Sequence, residues 1–256
     1  MFNTTTRKTN IIASTGTMTY RNLLKTLHNP DELLDVVVQP ALFMLLFGYL
    51  FSGAIYGSVS SYLKILVPGI LMQSLISAAS GSATQISTDI HSGIYDRLKS
   101  LPIPQVAPLA GQLFAGILRL AVAATAALTT GYLMGWHPEA GLGWLIMVIF
   151  LDIFLGWALS WIFALYGLVA KSPTLVESVS LMTMLVFLSN AFVPVKSLPH
   201  FMRILVTINP VSHVISANRA MLNAGYWPRE AWIVLCAGIG IVAVFAPITV
   251  LVYKRK

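Results

Sequence analysis

"LGWLIMVIFLDIFLGWALSWIFALYGLVA", residues 142–170, carries a single charged side chain, Asp152, in its 29 positions. An α-helix rises 1.5 Å per residue, so about 20 mostly apolar residues cross a hydrocarbon core of about 30 Å. Residues 142–170 are long enough to do so. The same test, carried outward along the chain, finds five further spans at 36–55, 65–86, 107–134, 174–195 and 230–252. The sequence therefore predicts an all-α membrane protein with six transmembrane helices.

Composition points the same way. The 256 residues are 57% hydrophobic and only 10% charged, with a mean hydropathy of +0.78, which excludes an ordinary soluble domain. A lone cysteine, Cys236, offers neither a disulfide framework nor a cysteine metal site. The net charge of +7 is scattered and concentrated beside the apolar spans. Anionic lipid headgroups attract basic residues there, so membrane lipid rather than nucleic acid is the expected partner. Residues 1–35 are polar where a secretory signal peptide would be apolar, so the first apolar run is expected to be a retained span.

Six spans put both termini on one side of the membrane. With the N-terminus inside, the inner segments hold Arg7, Lys8, Arg21, Lys25, Arg97, Lys99, Lys171, Lys254, Arg255 and Lys256. The outer ones hold Lys64, Lys196, Arg203, Arg219 and Arg229. The inner excess predicts a multi-pass protein of the plasma membrane with cytoplasmic termini. Tyr56, Tyr62, Tyr132, Trp136, Trp144, Tyr226, Trp227 and Trp232 fall at the outer span ends, as an interfacial aromatic belt would.

Two segments are expected to be special. Before the first span, Tyr20, Leu23, Leu24 and Leu27 repeat at helical spacing while Arg21, Lys25 and His28 point elsewhere. This predicts an amphipathic helix in the membrane plane, ended by Asn29-Pro30, within a cytosolic region 1–35. It serves either as a surface anchor or as a functional elbow. Segment 196–229 contains an apolar piece of only eight residues, 201–208, punctuated by Pro199 and Pro210 and preceded by Pro194. Short helices that dip into the outer leaflet and return, held against protein, are expected there. Residues 36–256 then form one transmembrane domain.

Catalytic signatures do not occur. His28, His91, His137, His200 and His213 are dispersed without HExxH spacing, and there is neither a G-x-S-x-G elbow nor a G-x-x-x-x-G-K-[ST] phosphate loop. No catalytic residue or metal ligand is assigned, and any ATP must be bound by another chain. Arg119 and Asp152 are charges well inside spans, 19 and 14 residues from a turn at Pro138. That offset of roughly 7 Å lies within reach of an arginine, so a structural ion pair is expected in preference to a proton-coupling site. Gln73, Ser77, Ser80 and Thr84 lie on one face of the second span, with Gly81 beside them. That stripe can pack helices or face a substrate pathway or a second chain.

Four stretches then fall into a known order: NPDELLDVVVQPALFMLLFGYLF (29–51), YLKILVPGILMQ (62–73), SGIYDRLKSLPIP (92–104) and LSNAFVPVKSLPHFMRILVTINPVSHVISANRAML (188–222). In order and spacing they resemble the permease subunits of ABC-2 type exporters, most closely the daunorubicin-resistance type. The resemblance implies six helices preceded by an elbow helix and a re-entrant helical pair before the last helix, within 196–229. It also implies a cytosolic coupling helix in the loop 87–106 that docks on a separate ATP-binding subunit. The docking residues it implies are Asp89, His91, Ser92, Gly93, Asp96, Arg97 and Lys99, with His91 standing where many members carry an acidic residue. It further implies two permease chains, expected to be identical, and two ATPase chains. The cofactors, ATP and magnesium, sit on those partners. The activity implied is export of an amphipathic or hydrophobic substrate such as a drug, antibiotic or lipid. The alternative is an ion-coupled secondary transporter working through Arg119, Asp152 and Glu177, which lacks the internal repeats expected of such carriers.

Overall fold

The computed structural model describes residues 10–28, 30–55, 57–100, 102–170, 172, 176, 186–193, 195 and 199–255, with the side chains of 30–33, 35, 54, 55, 96 and 99 excepted. Among them every regular element is helical. The order is α1 (Ile11–Leu27), α2 (Pro30–Ile55), α3 (Val59–His91), α4 (Ile94–Lys99), α5 (Ala107–Leu133) and α6 (Leu142–Val169). There follow α7 (His200–Ile208), α8 (Pro210–Arg219), a π-helical turn at Ala220–Ala224, and α9 (Arg229–Arg255). Val36–Gly53 of α2 and the whole of α3, α5, α6 and α9 are long and apolar enough to cross a membrane. These match five of the six predicted spans. The other, 174–195, lies mostly outside the described residues, as does Glu177.

Helix α3 is the hub. Over an apolar stretch of 18 residues in each helix, 78% of those in α3 are buried, against 17% in α9 at the periphery. Between lipid-embedded helices no hydrophobic force favours association, so close backbone approach and dispersion must supply it. Glycine provides the approach. A Cβ on Gly167 of α6 would stand 2.5 Å from the Ala83 carbonyl oxygen of α3, and one on Gly69 of α3 2.6 Å from that of Ala191. Around this spine Tyr62, Leu66, Ile70, Leu71 and Phe163 form the fully buried centre.

Pro68 lies inside α3 and cannot donate a backbone hydrogen bond to the Lys64 carbonyl. Asn223 Nδ2 donates to that oxygen instead, at 3.2 Å. One residue on, Arg219 donates to the Ile65 carbonyl at 3.0 Å and also to the carbonyls of Asn190 and Ala191 at 2.5 and 3.2 Å. Counted in the sequence as an outer surface charge, Arg219 is thus a clamp joining α8, α3 and the 186–193 segment.

Helix α1 begins at Asn10, whose side chain accepts from the Ile12 amide at 3.2 Å. Its predicted apolar stripe faces outward, with Tyr20, Leu24 and Leu27 exposed. Ser14, Met18, Asn22 and Thr26 form the buried face, four residues apart. That face fits α5 because Gly111 leaves room: a Cβ there would lie 2.6 Å from Met18 Cβ and 2.8 Å from the Thr19 amide nitrogen.

Helices α7 and α8 meet at Asn209, whose side chain accepts from the Val211 amide at 2.9 Å, with Pro210 at the first helical position. They are not both held against protein as expected. Helix α8 buries Val211, Ser212, Val214, Ile215, Ala217 and Asn218, whereas α7 buries only Val206 and leaves Phe201, Ile204 and Ile208 exposed. A helix satisfies its own backbone, so an apolar one tolerates lipid directly. The aromatic belt needs a similar correction: Tyr62 and Trp136 are buried, Tyr62 donating to the Phe192 carbonyl at 3.0 Å. Tyr132, Tyr226 and Trp232 are exposed at span ends, while Tyr56 lies outside the described residues.

Candidate functional site

The end of the bundle opposite Ser58 gathers α4, the last turn of α3, α1, the start of α5 and the end of α9. Gly93 turns the chain from α3 into α4 at φ +72°, a left-handed conformation that glycine adopts without steric cost. The six-residue α4 is fastened from below. Tyr95 is buried, its hydroxyl donating to the Tyr253 carbonyl at 2.5 Å, and the two rings meet edge to face at 4.9 Å between centroids. Lys25 of α1 donates to Asp89 of α3 at 2.7 Å. Gln112 of α5 donates to Gln85 of α3 at 3.2 Å.

This arrangement sorts the residues expected to dock an ATPase. His91, Ser92 and Arg97 are exposed around the turn, and Gly93 is half-buried. His91 Nδ1 lies 2.7 Å from the Ser87 carbonyl oxygen, and the Ser92 hydroxyl donates to that of Asp89 at 3.3 Å. Asp89 also bonds within the chain, its carboxylate accepting from Lys25, 64 residues away. The side chains of Asp96 and Lys99 lie outside the described set; their backbone belongs to α4. Tyr95, Tyr253 and Lys25 were missed as members of this site. Only the spacing of Tyr95 within α4, turned from exposed Arg97, hinted at a buried side.

The stripe on α3 divides by depth. Gln73 is buried, and neither amide atom has a hydrogen-bond partner among the described residues. Ser77 donates to Gln39 of α2 at 2.8 Å, and Ser80 to the Ser77 carbonyl at 2.7 Å. Ser77, Ser80, Gly81 and Thr84 are half-buried, next to the continuously buried stretch 66–76 of the same helix. Directly behind them, Arg119 lies against Gly81, whose Cβ would stand 3.3 Å from the guanidinium carbon.

Arg119 and Asp152 do not form the expected pair. Arg119 donates to Ser82 of α3 at 3.0 Å. Asp152 accepts from Asn218 of α8 at 2.7 Å. Both are buried, but α5 and α6 are rotated so that one faces α3 and the other α8. The hairpin offset permitted a contact that the helix rotations do not make. Among the described residues no group of acidic, histidine or cysteine side chains is placed to hold a metal.

Comparison with known proteins gives a family match and several relatives. The family model described as ABC-2 type transporter matches residues 13–223. The chain is 36% identical over 249 residues to the daunorubicin resistance ABC transporter permease protein DrrB1 of Streptomyces coeruleorubidus, covering 96% of this chain and 87% of that one. It is 27% identical over 235 residues to the probable doxorubicin resistance ABC transporter permease protein DrrC of Mycobacterium tuberculosis H37Rv, covering 90% and 85%. A third relative, the doxorubicin resistance permease DrrB of the same organism, is 28% identical over 150 residues, 56% of this chain and 52% of that one.

Proposed function

The chain belongs to the ABC-2 type transporter family, and from that premise we propose that it moves an amphipathic or hydrophobic substrate out of the cell, driven by a separate ATP-binding subunit. In this reading ATP and magnesium sit on the partner, and two copies of this chain enclose a pathway bordered by Ser77, Ser80 and Thr84. Helix α4 is the coupling helix, α1 the elbow, and α7 with α8 the re-entrant pair. Both termini and α4 face the cytosol.

The observation that supports this most strongly is how α4 is mounted. A solvated loop needs no fixed attachments. Helix α4 has one through Tyr95 to the end of α9, and the α3 turn that precedes it is tied to α1 by Asp89 and Lys25. Its turn meanwhile presents His91, Ser92 and Arg97 outward. Force applied at that surface reaches three membrane-associated helices at once, as a switch between inward and outward states requires. The relatives' printed names, daunorubicin and doxorubicin resistance, favour a drug-like substrate.

The test is a charge reversal, Asp96→Lys with Arg97→Glu. Exposed charges contribute within about 1 kcal/mol per pair to stability, so insertion and melting should hold. Like charges against a complementary partner should abolish co-purification with the ATPase or its stimulation by substrate. Normal assembly and transport in that variant would refute docking through α4. Transport that survives ATP depletion but stops when ion gradients collapse would refute ATP-driven export.

A further inference from the structure

On the flank of the bundle, away from the α3 stripe, helices α3, α6, α8 and α9 leave a cleft of about 290 Å³. Met72, Ile76, Leu159, Val214, Val234 and Ile241 typify its walls, and among the described residues lining it only His213 has a polar side chain. That volume is at the lower end of the range of about 300–1,000 Å³ usual for ligand pockets, the size of a slender ligand rather than a bulky one. We propose that this cleft is a binding site for one acyl chain of a phospholipid whose headgroup lies beside Arg229.

Depth identifies the occupant. The α9 wall runs from Ile233 through Ala237 to Ile241, four to twelve residues beyond Arg229. At 1.5 Å per residue that is about 6–18 Å below the start of the helix, close to the thickness of one leaflet's hydrocarbon. Arg229 is exposed at the head of that path. Water does not fill a space with such walls, because it would have almost no hydrogen-bond partners. An empty cleft would deprive the wall atoms of dispersion contacts. A chain entering from the bilayer meets both conditions. It gains little from hydrophobicity, since lipid is already apolar, so retention comes from filling the space and from the attraction of Arg229 for an anionic headgroup.

The experiment is native mass spectrometry of the full chain, extracted from membranes and washed in detergent, then titrated with phosphatidylglycerol or phosphatidylcholine. The wild type should retain phospholipid and prefer phosphatidylglycerol several-fold. Ala237→Trp, which plugs the cleft, should lose most of the retained lipid with an undiminished melting temperature. Arg229→Gln should keep lipid but lose the headgroup preference. Should Ala237→Trp fail to fold, Ile241→Phe, which narrows the deep end, should weaken retention of long-chain more than short-chain lipid. Unchanged lipid retention in folded variants of both positions would overturn the proposal. So would stoichiometric displacement of the lipid by doxorubicin, which would make the cleft a substrate site.

Discussion

Replacing Gly111 by alanine tests whether α1 is mounted on α5 or merely rests on the membrane, because the two cases give opposite signs. An alanine in a helix interior is favoured over glycine by about 1 kcal/mol, so with nothing opposite it the change stabilises. In the structure the new Cβ would stand 2.6 Å from Met18 Cβ, 2.8 Å from the Thr19 nitrogen and 2.9 Å from the Met18 carbonyl carbon. Ordinary carbon contacts are about 3.5–4.0 Å, so α1 must withdraw by about 1 Å. Two of the three opposing atoms are backbone, and no rotamer change relieves them. Overpacking of this kind costs about 1–3 kcal/mol, so the propensity gain of about 1 kcal/mol is cancelled and a net loss of up to about 2 kcal/mol is left. For a chain of this size that lowers the melting temperature by up to about 8 °C. The assay is thermal unfolding in detergent followed by intrinsic tryptophan fluorescence, with Gly16→Ala as control. No atom lies within 4 Å of a Cβ at Gly16, so that variant should melt at or above the wild-type temperature. A Gly111→Ala protein that melts above the wild type, as an unopposed alanine would, would refute the packing of α1 on α5.

Three further outcomes follow from the sites. In a double-mutant cycle, Asp152→Leu and Asn218→Leu should couple by about 0.5–3 kcal/mol in the same melting assay, whereas Arg119→Leu and Asp152→Leu should add within about 0.5 kcal/mol; strong coupling in the second cycle would restore the ion pair. Tyr95→Phe keeps the ring and loses the bond to the Tyr253 carbonyl, so it should cost about 0.5–1.5 kcal/mol yet reduce substrate stimulation of ATP hydrolysis in the assembled exporter. Unchanged stimulation would free α9 from the coupling path. In a Cys236→Ala background, cysteine at half-buried Ser77 or Thr84 should react with a water-soluble thiol reagent faster than cysteine at buried Gln73, and substrate should alter the first two rates; equal labelling at all three would remove the stripe from the pathway.

The amino-acid sequence alone determined that this protein lives in a membrane, and it located the five described helices that are long and apolar enough to cross it. Bilayer thickness selects spans by length and apolar content, and both are properties of consecutive residues. The amphipathic period of α1 and the prolines around α7 and α8 are equally local. The four stretches at 29–51, 62–73, 92–104 and 188–222 were enough to suggest the family. Tertiary structure alone decided which polar groups meet. Ser82 and Arg119 are 37 residues apart, Asp152 and Asn218 66, Ile65 and Arg219 154, and Tyr95 and Tyr253 158. Apolar side chains occupy every face of α6, so no periodicity marks the side on which Asp152 will turn. In a soluble helix the polar face reports its own orientation against water. In lipid both faces are apolar, and rotation about the helix axis is set by where Gly69, Gly111 and Gly167 let neighbouring backbones come close.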